Sequence, residues 1–165
     1  MTNKSLISKK FLELGFNLVG FSKASIPKSD KDNINSWIQN KYYGQMNWFP
    51  KNNELRTEFK NLGFTPNSII ALGLVYNTKE YSKVTANFNF KFSRYAVGKD
   101  YHDVLREKAK PGLKYLKENF PNNHFRQGVD SLPVPEKILA REAGIGWIGK
   151  NTNLIHPELG SFFFL

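Results

Sequence analysis

The sequence contains no cysteine. That excludes disulfides, thiolate zinc sites, cysteine nucleophiles and cysteine-held iron–sulfur clusters within these residues. Long hydrophobic runs are missing too. The most apolar stretch, Ser68 to Tyr76, falls far short of the ~20 residues that span a bilayer. The opening MTNKSLISKK lacks the continuous apolar segment of a secretory signal. The expectation is a soluble, cytoplasmic chain with no membrane association. Acidic residues are few, 14 against 24 basic ones, for a net charge of +10. Two accounts of that charge stand. One is an RNA-facing surface, since lysine and arginine attract phosphate. The other is a coding bias toward lysine and asparagine, because the charges are spread rather than clustered. Arginine is scarce, five against nineteen lysines. The three histidines show no local metal-ligand spacing.

Aromatic residues are plentiful at 15%, including fourteen Phe, enough for a core or a ligand pocket. A chain of 165 residues is long enough to bury a real core and reads as one domain, 1–165. No repeat or linker marks a second one. Ile7, Phe11 and Leu14 fall at helical spacing before Gly15, which predicts a first helix over 4–14. A strand follows at 16–21, then a helix capped by Ser29 and running to about Lys41. Between 42 and 67 glycines and prolines interrupt any long element, leaving room for a short helix near Glu54 to Lys60. Residues 68–76 read as a strand buried on both faces, and 77–92 as a polar loop. Asp100 caps the clearest helix, which Pro111-Gly112 should kink or divide. Strands near 124–129, 153–156 and 161–165 complete the α/β alternation. Such a chain folds as a sheet covered by helices on both sides.

The chemistry concentrates in VDSLPVPEKILAREAGIGWIGK, Val129 to Lys150. Asp130 stands where the preceding strand should stop, because Ser131, Pro133 and Pro135 cannot extend a ladder. Pro135 can open a helix as its first residue, and Gly144 can close it. Gly144, Gly146 and Gly149 surround Trp147 with positions that would let backbone approach a large flat ligand. The GIGWIGK run is not a P-loop or a dinucleotide fingerprint, since it lacks the following Ser/Thr and the glycine spacing.

Four blocks carry a resemblance: YYGQMNW at 42–48, SRYAVGKDYHDVLREK at 93–108, the 129–150 stretch, and GSFFFL at 160–165. In this order and spacing they resemble the N-terminal domain of epoxyqueuosine reductases, cobalamin-dependent enzymes of the last step of queuosine synthesis in tRNA. The resemblance implies an α/β fold similar to the corrinoid-binding domain of reductive dehalogenases. It implies cobalamin as cofactor, tRNA with a queuosine-type anticodon loop as substrate, and Asp130 as proton donor. Reducing an epoxide to an alkene expels oxygen, a poor leaving group unless protonated, and a carboxylic acid in an apolar pocket is suited to that task. On the residues alone, Asp130 could equally cap the turn through Ser131.

The resemblance also places Arg56, Ser93, Asp130, Lys150, Leu154 and Leu165 around the cofactor, with His102 and Arg94 toward the substrate. Lys150 is otherwise a solvated lysine, and both leucines are otherwise core. Tyr95, Tyr101 and Trp147 are candidates to stack on corrin or base, or simply core. The family carries [4Fe-4S] clusters in a ferredoxin-like segment. With no cysteine here, the chain reads as a truncated piece, as a split subunit served by a separate ferredoxin-like electron donor, or as a remnant. Three positions depart from the family pattern: Gly44-Gln45-Met46-Asn47-Trp48 for Gly-Glu-Met-Asp-Trp, Pro135-Glu136-Lys137 for hydrophobic-Glu-Arg, and the Pro111-Gly112 break. The expected function is the catalytic domain of an epoxyqueuosine reductase. The alternative is a basic RNA- or corrinoid-binding module without turnover.

Overall fold

The computed structural model describes residues 2–60, 62–77, 89, 92–130 and 132–165. The polar loop expected at 77–92 lies largely outside them.

Helix α1, Asn3–Glu13, starts where the Thr2 hydroxyl accepts the Ser5 N–H at 3.3 Å and is followed by Gly15 at φ +83°. Its Phe11 is 3% exposed, and burying such a ring is worth about 1.5–3 kcal/mol. Strand β1, Leu18–Lys23, pairs antiparallel with β2, Ser68–Val75, from Leu18↔Gly73 to Lys23↔Ser68. Helix α2, Lys28–Gln39, begins two residues earlier than expected: Pro27 is its N-cap and Ser29 lies inside it. It buries no residue of its own, and the Asp30 carboxylate ties it to Arg141 at 2.6 Å. Two short helices, α3 (Trp48–Lys51) and α4 (Asn53–Glu58), follow.

Helix α5, Tyr101–Asn119, is capped as expected, the Asp100 side chain accepting the His102 N–H at 2.9 Å. It is neither divided nor ended at Pro111. Pro111 removes one helical donor, yet Gly112 beside it gives the Phe11 ring its place. A Cβ there would lie 2.3 Å from Phe11 Cε1. Packing of α1 on α5 thus offsets the lost bond. Helix α6, Glu136–Glu142, takes Pro135 as N-cap rather than first residue, and Gly144 past its end is left-handed at φ +77°. Strands β3 (Trp147–Ile148) and β4 (Leu154–Ile155) form a small antiparallel pair, and β5, Phe163–Phe164, joins β2.

The main sheet has the order β1-β2-β5 and is antiparallel throughout. Alternate β2 side chains face opposite layers. Ile70, Leu72 and Leu74 pack with Phe11, Leu105 and Leu116 of α1 and α5. Ala71 and Val75 pack with Ala140 of α6, with Leu154 and with Phe163. Helices therefore cover both faces. Two expectations fail in this region. Residues 124–129 form no strand, being held by side chains: Arg126 donates to the Leu62 carbonyl at 2.6 Å and Gln127 to that of Arg106 at 3.3 Å. In β2 only Gly73 is fully buried. Among the described residues, no helix is long and apolar enough to cross a membrane.

Candidate active site

Asp130 sits in a bend between buried Val129 and the prolines that precede α6, at φ +48°. It is not a strand end, because the strand expected before it is absent. Aspartate is one of the few residues that tolerate this left-handed backbone. Its N–H donates to Oε1 of Glu136 at 3.2 Å, which fastens the bend to the first turn of α6.

Two side chains of α5 meet its carboxylate. The Tyr101 hydroxyl donates to Oδ2, and His102 Nε2 lies 3.2 Å from the same oxygen. His102 Nδ1 lies 2.7 Å from Oδ1 of Asp100, so the imidazole bridges two carboxylates. The α5 cap explains the arrangement. Asp100 fixes the first turn of the helix, and the next two residues point into the site. The rings continue as a column: Tyr101 stacks between His102 at 4.0 Å and Phe164 at 4.3 Å, and Tyr76 follows at 4.4 Å from Phe164.

The electrostatics follow from these contacts. The Tyr101 phenol is pushed up to about 12, first by its hydrogen bond to Asp130 and then by burial, so it remains a donor. The Asp100 carboxyl is held below its usual range by the His102 side chain and backbone N–H. Glu136 is pushed up to about 7, by burial first and then by hydrogen bonding with, and repulsion from, Asp130. Glu136 therefore gains and loses its proton near neutral pH, beside the Asp130 carboxylate. The Asp130 side chain is still 46% exposed, open to a ligand.

A cleft of about 320 Å³ opens beside it, walled by Tyr76, Tyr95, Tyr101, Leu154 and Phe164, with Lys137 and Asn153 at its polar edge. Lys137 is anchored there by donating to the Thr152 carbonyl at 2.7 Å.

Of the residues singled out from sequence, Asp130, Leu154 and Leu165 line this cleft and His102 touches Asp130. Arg94 bonds Asn77 and lies 5.5 Å over the Phe162 ring, beside the lining residue Tyr95. Ser93 is exposed at the start of the 3₁₀ turn Arg94–Ala96. Lys150 is exposed in the β3–β4 turn, outside the lining. Arg56 is 6% exposed, with its guanidinium 3.7 Å over the Phe49 ring and donating to the Phe49 carbonyl at 3.1 Å. Burial lowers its pKa. It holds α3 and α4 together, away from the cleft lining.

The glycines around Trp147 also do something other than expected. A Cβ at Gly146 would lie 2.0 Å from the Ile155 carbonyl oxygen, and one at Gly149 would lie 2.7 Å from Ile155 Cδ1. Their lack of side chains closes the β3–β4 pair, and Trp147, 50% exposed, is outside the cleft. Glu136 escaped the sequence reading as a site residue. Its signal was a second carboxylate six positions after Asp130 across a proline-fixed bend.

Fold and cleft together define the class first: a mixed helix-and-sheet domain with an aspartate–histidine–tyrosine cluster at an aromatic-walled cleft. The family follows from comparison with known proteins. The model of the family "Epoxyqueuosine reductase QueG, DUF1730" matches residues 56–131. An epoxyqueuosine reductase of Leadbetterella byssophila is 35% identical over 93% of this chain and 50% of its own length. A crystal structure of epoxyqueuosine reductase with a tRNA-Tyr epoxyqueuosine-modified tRNA stem loop superposes at TM-score 0.75 with 26% identity, covering 98% of this chain and 43% of that one. A Bacillus subtilis epoxyqueuosine reductase, solved with its aspartate catalytic loop swung out of the active site, superposes at 0.67 with 27% identity, again over 98% and 43%. This chain is therefore similar to the epoxyqueuosine reductases over nearly all of its own length, and it spans about half the length of the curated relatives it matches.

Among the described residues no group of three or more His, Cys, Asp or Glu is arranged to hold a metal ion. The cleft fits one edge of a flat ring with polar fringes: ring and leucine walls below, Lys137 and Asn153 beside them. At about 320 Å³ it encloses part of a corrin rather than all of it.

Proposed function

We propose that this chain is the cobalamin- and substrate-binding part of an epoxyqueuosine reductase, acting on tRNA in the cytoplasm with Asp130 as proton donor. The observation that carries this reading is the Asp130 carboxylate, held by Tyr101 and His102 and backed by Glu136, whose pKa burial raises to about 7, facing the cleft.

Conversion of an epoxide to an alkene takes up two electrons and two protons and releases the oxygen as water. Bound, reduced cobalamin supplies the electron pair. The chain's own residues handle the proton and the pose. Asp130 delivers a proton to the departing oxygen. Tyr101 and His102 fix the direction of that carboxyl, and Glu136 returns a proton to it. Leu154, Leu165 and the Tyr76–Phe164 rings form the apolar wall for the ring system and exclude water. Arg94, beside Tyr95, faces the side from which a nucleotide would enter. With no cysteine in these residues, electrons come from a cysteine-held iron–sulfur carrier outside them, such as a ferredoxin-like donor. The +10 net charge draws the anionic stem loop to the surface.

The test uses the chain with cobalamin, a chemical reductant and an epoxyqueuosine-bearing stem loop. Cobalamin absorbance should shift on binding for both parent and Asp130→Asn, while the variant's rate should fall ~10²–10⁴-fold, the usual effect of losing a positioned general acid. Absence of any absorbance change up to millimolar cobalamin overturns the cofactor assignment. A folded, cofactor-binding variant that turns over at the parent rate overturns the role of Asp130.

A further inference from the structure

The cap of α5 makes one contact that a cap does not need. Oδ1 of Asp100 accepts the His102 backbone N–H at 2.9 Å, and the same oxygen lies 2.7 Å from His102 Nδ1. The other ring nitrogen, Nε2, lies 3.2 Å from Oδ2 of Asp130. A neutral imidazole carries a single N–H, so only one of these carboxylates can receive it. The two are unequal claimants. Oδ2 of Asp130 already accepts the Tyr101 hydroxyl. The Asp100 oxygen is nearer, and its carboxyl is held below the usual range by the His102 side chain and then by its backbone N–H. The remaining charges nearby act at the two ends of this chain of groups. Arg106 favours the ionised form of Asp100, while Glu136 opposes a charge on Asp130. The ring hydrogen therefore stays on Nδ1, and Nε2 turns its lone pair toward Asp130. Facing lone pairs at this distance repel unless a proton lies between them. Asp130 in its acid form supplies one.

We propose that Asp100 is a positioning residue for the reduction: it keeps the His102 hydrogen on Nδ1, so that Nε2 holds Asp130 in its proton-bearing form. The opposite tautomer would do the reverse. An Nε2–H aimed at Oδ2 stabilises Asp130 as a carboxylate, an acceptor with nothing to give. In the favoured tautomer the proton leaves Asp130 for the departing oxygen, no electrons move with it, and the carboxylate left behind takes its next proton from Glu136. Asp100 touches neither cofactor nor substrate and acts only through His102. Its part rests on the proposed role of Asp130. A carboxylate that fixes an imidazole tautomer is worth ~10⁴-fold in kcat in the serine hydrolases, where its replacement by the amide leaves the geometry intact. Helix capping alone would ask for less, since serine or asparagine caps about as well as aspartate.

That difference separates the two roles. Asp100→Ser keeps an oxygen for the backbone N–H but leaves Nδ1 without its partner. Asp100→Asn keeps an acceptor for both contacts and removes the charge. Melting temperature and cobalamin binding should stay at the parent level in both. The deciding measurement needs no turnover: nitrogen-15 shifts of His102, recorded on the neutral ring, report which nitrogen carries the hydrogen. Nδ1–H is expected in the parent, mainly Nε2–H in Asp100→Ser, and a smaller move the same way in Asp100→Asn. With cobalamin, a chemical reductant and an epoxyqueuosine-bearing stem loop, kcat should fall at least about tenfold in Asp100→Ser with KM unchanged. A parent ring protonated on Nε2, or the parent tautomer in both variants, overturns the proposal. If Asp100→Ser unfolds, the asparagine variant decides by the same two readings. A parental kcat in the Asp100 variants beside an impaired Asp130→Asn overturns the role of Asp100 alone. A parental rate in Asp130→Asn removes the reading beneath it, and the role of Asp100 falls with it.

Discussion

The cleft and a second cavity of about 580 Å³, a slot along β2, share Glu136 and Leu165 in their linings. They are completed by different means. In the cleft, side chains satisfy one another: Asp130 by Tyr101 and His102, His102 by Asp100, Lys137 by a carbonyl. In the slot, apolar side chains such as Leu105, Leu116 and Leu139 are mixed with polar ones such as Asn67, Asn123 and Arg126, and residues 64–72 line it in an unbroken run. A polar cluster can be finished locally, by neighbours on one helix turn. A sheet edge can be finished only by another strand. The two regions should therefore respond separately to substitution.

The largest expected effect lies on the slot side. Phe11→Ala removes the ring that joins α1 to α5 across Gly112 and meets Phe16 edge-on at 5.9 Å. Large-to-small changes of a buried Phe cost ~3–5 kcal/mol, measurable by urea unfolding. Cobalamin binding per folded molecule should be unchanged. Loss of both in parallel would show that the two regions are not separable.

Glu136→Gln tests the wall between them. The folded state keeps the Glu136 proton to about pH 7, against an ordinary value of 4.5. The folded protein binds more protons than the unfolded one inside that window, so stability falls as pH rises through it and levels off above. At ~1.4 kcal/mol per unit the loss is at most roughly 3 kcal/mol. Unfolding measured at several pH values should show the parent losing more stability between pH 4.5 and 7 than the glutamine variant. Identical slopes would remove Glu136 from both the buried wall and the proton path.

Tyr101→Phe is the mildest change and belongs to the cleft alone. It deletes the hydroxyl that donates to Asp130 but keeps the ring between His102 and Phe164. One hydrogen bond at a partly exposed carboxylate is worth about 1 kcal/mol. The expected outcome is a several-fold lower kcat with little change in KM or in melting temperature. A large drop in melting temperature instead would make Tyr101 a packing residue.

Local rules were legible in the sequence because their causes lie within a few residues. Asp100 as a cap, α1 closed by Gly15, β2 as an apolar strand and α6 closed by Gly144 all follow from neighbours in the chain. Asp130, Leu154 and Leu165, expected around the cofactor, lie at one cleft, and His102, expected toward the substrate, touches Asp130. What misled the reading depended on distant partners. Pro111 stays within one helix because Phe11, a hundred residues away in sequence, packs on Gly112. Gly146 and Gly149 serve Ile155 rather than a ligand, and Arg56 serves Phe49 rather than the cleft. Residues 124–129 have a strand's composition but no ladder, because a strand exists only with a partner. The sequence by itself determined where α5 starts, where α1 and α6 stop, and which carboxylate stands at the bend. Only the tertiary structure decided that Glu136 is buried beside Asp130 and that β2 pairs with β1 along Ser68 to Gly73. Burial and pairing are properties of the assembled layers, and no single segment carries them.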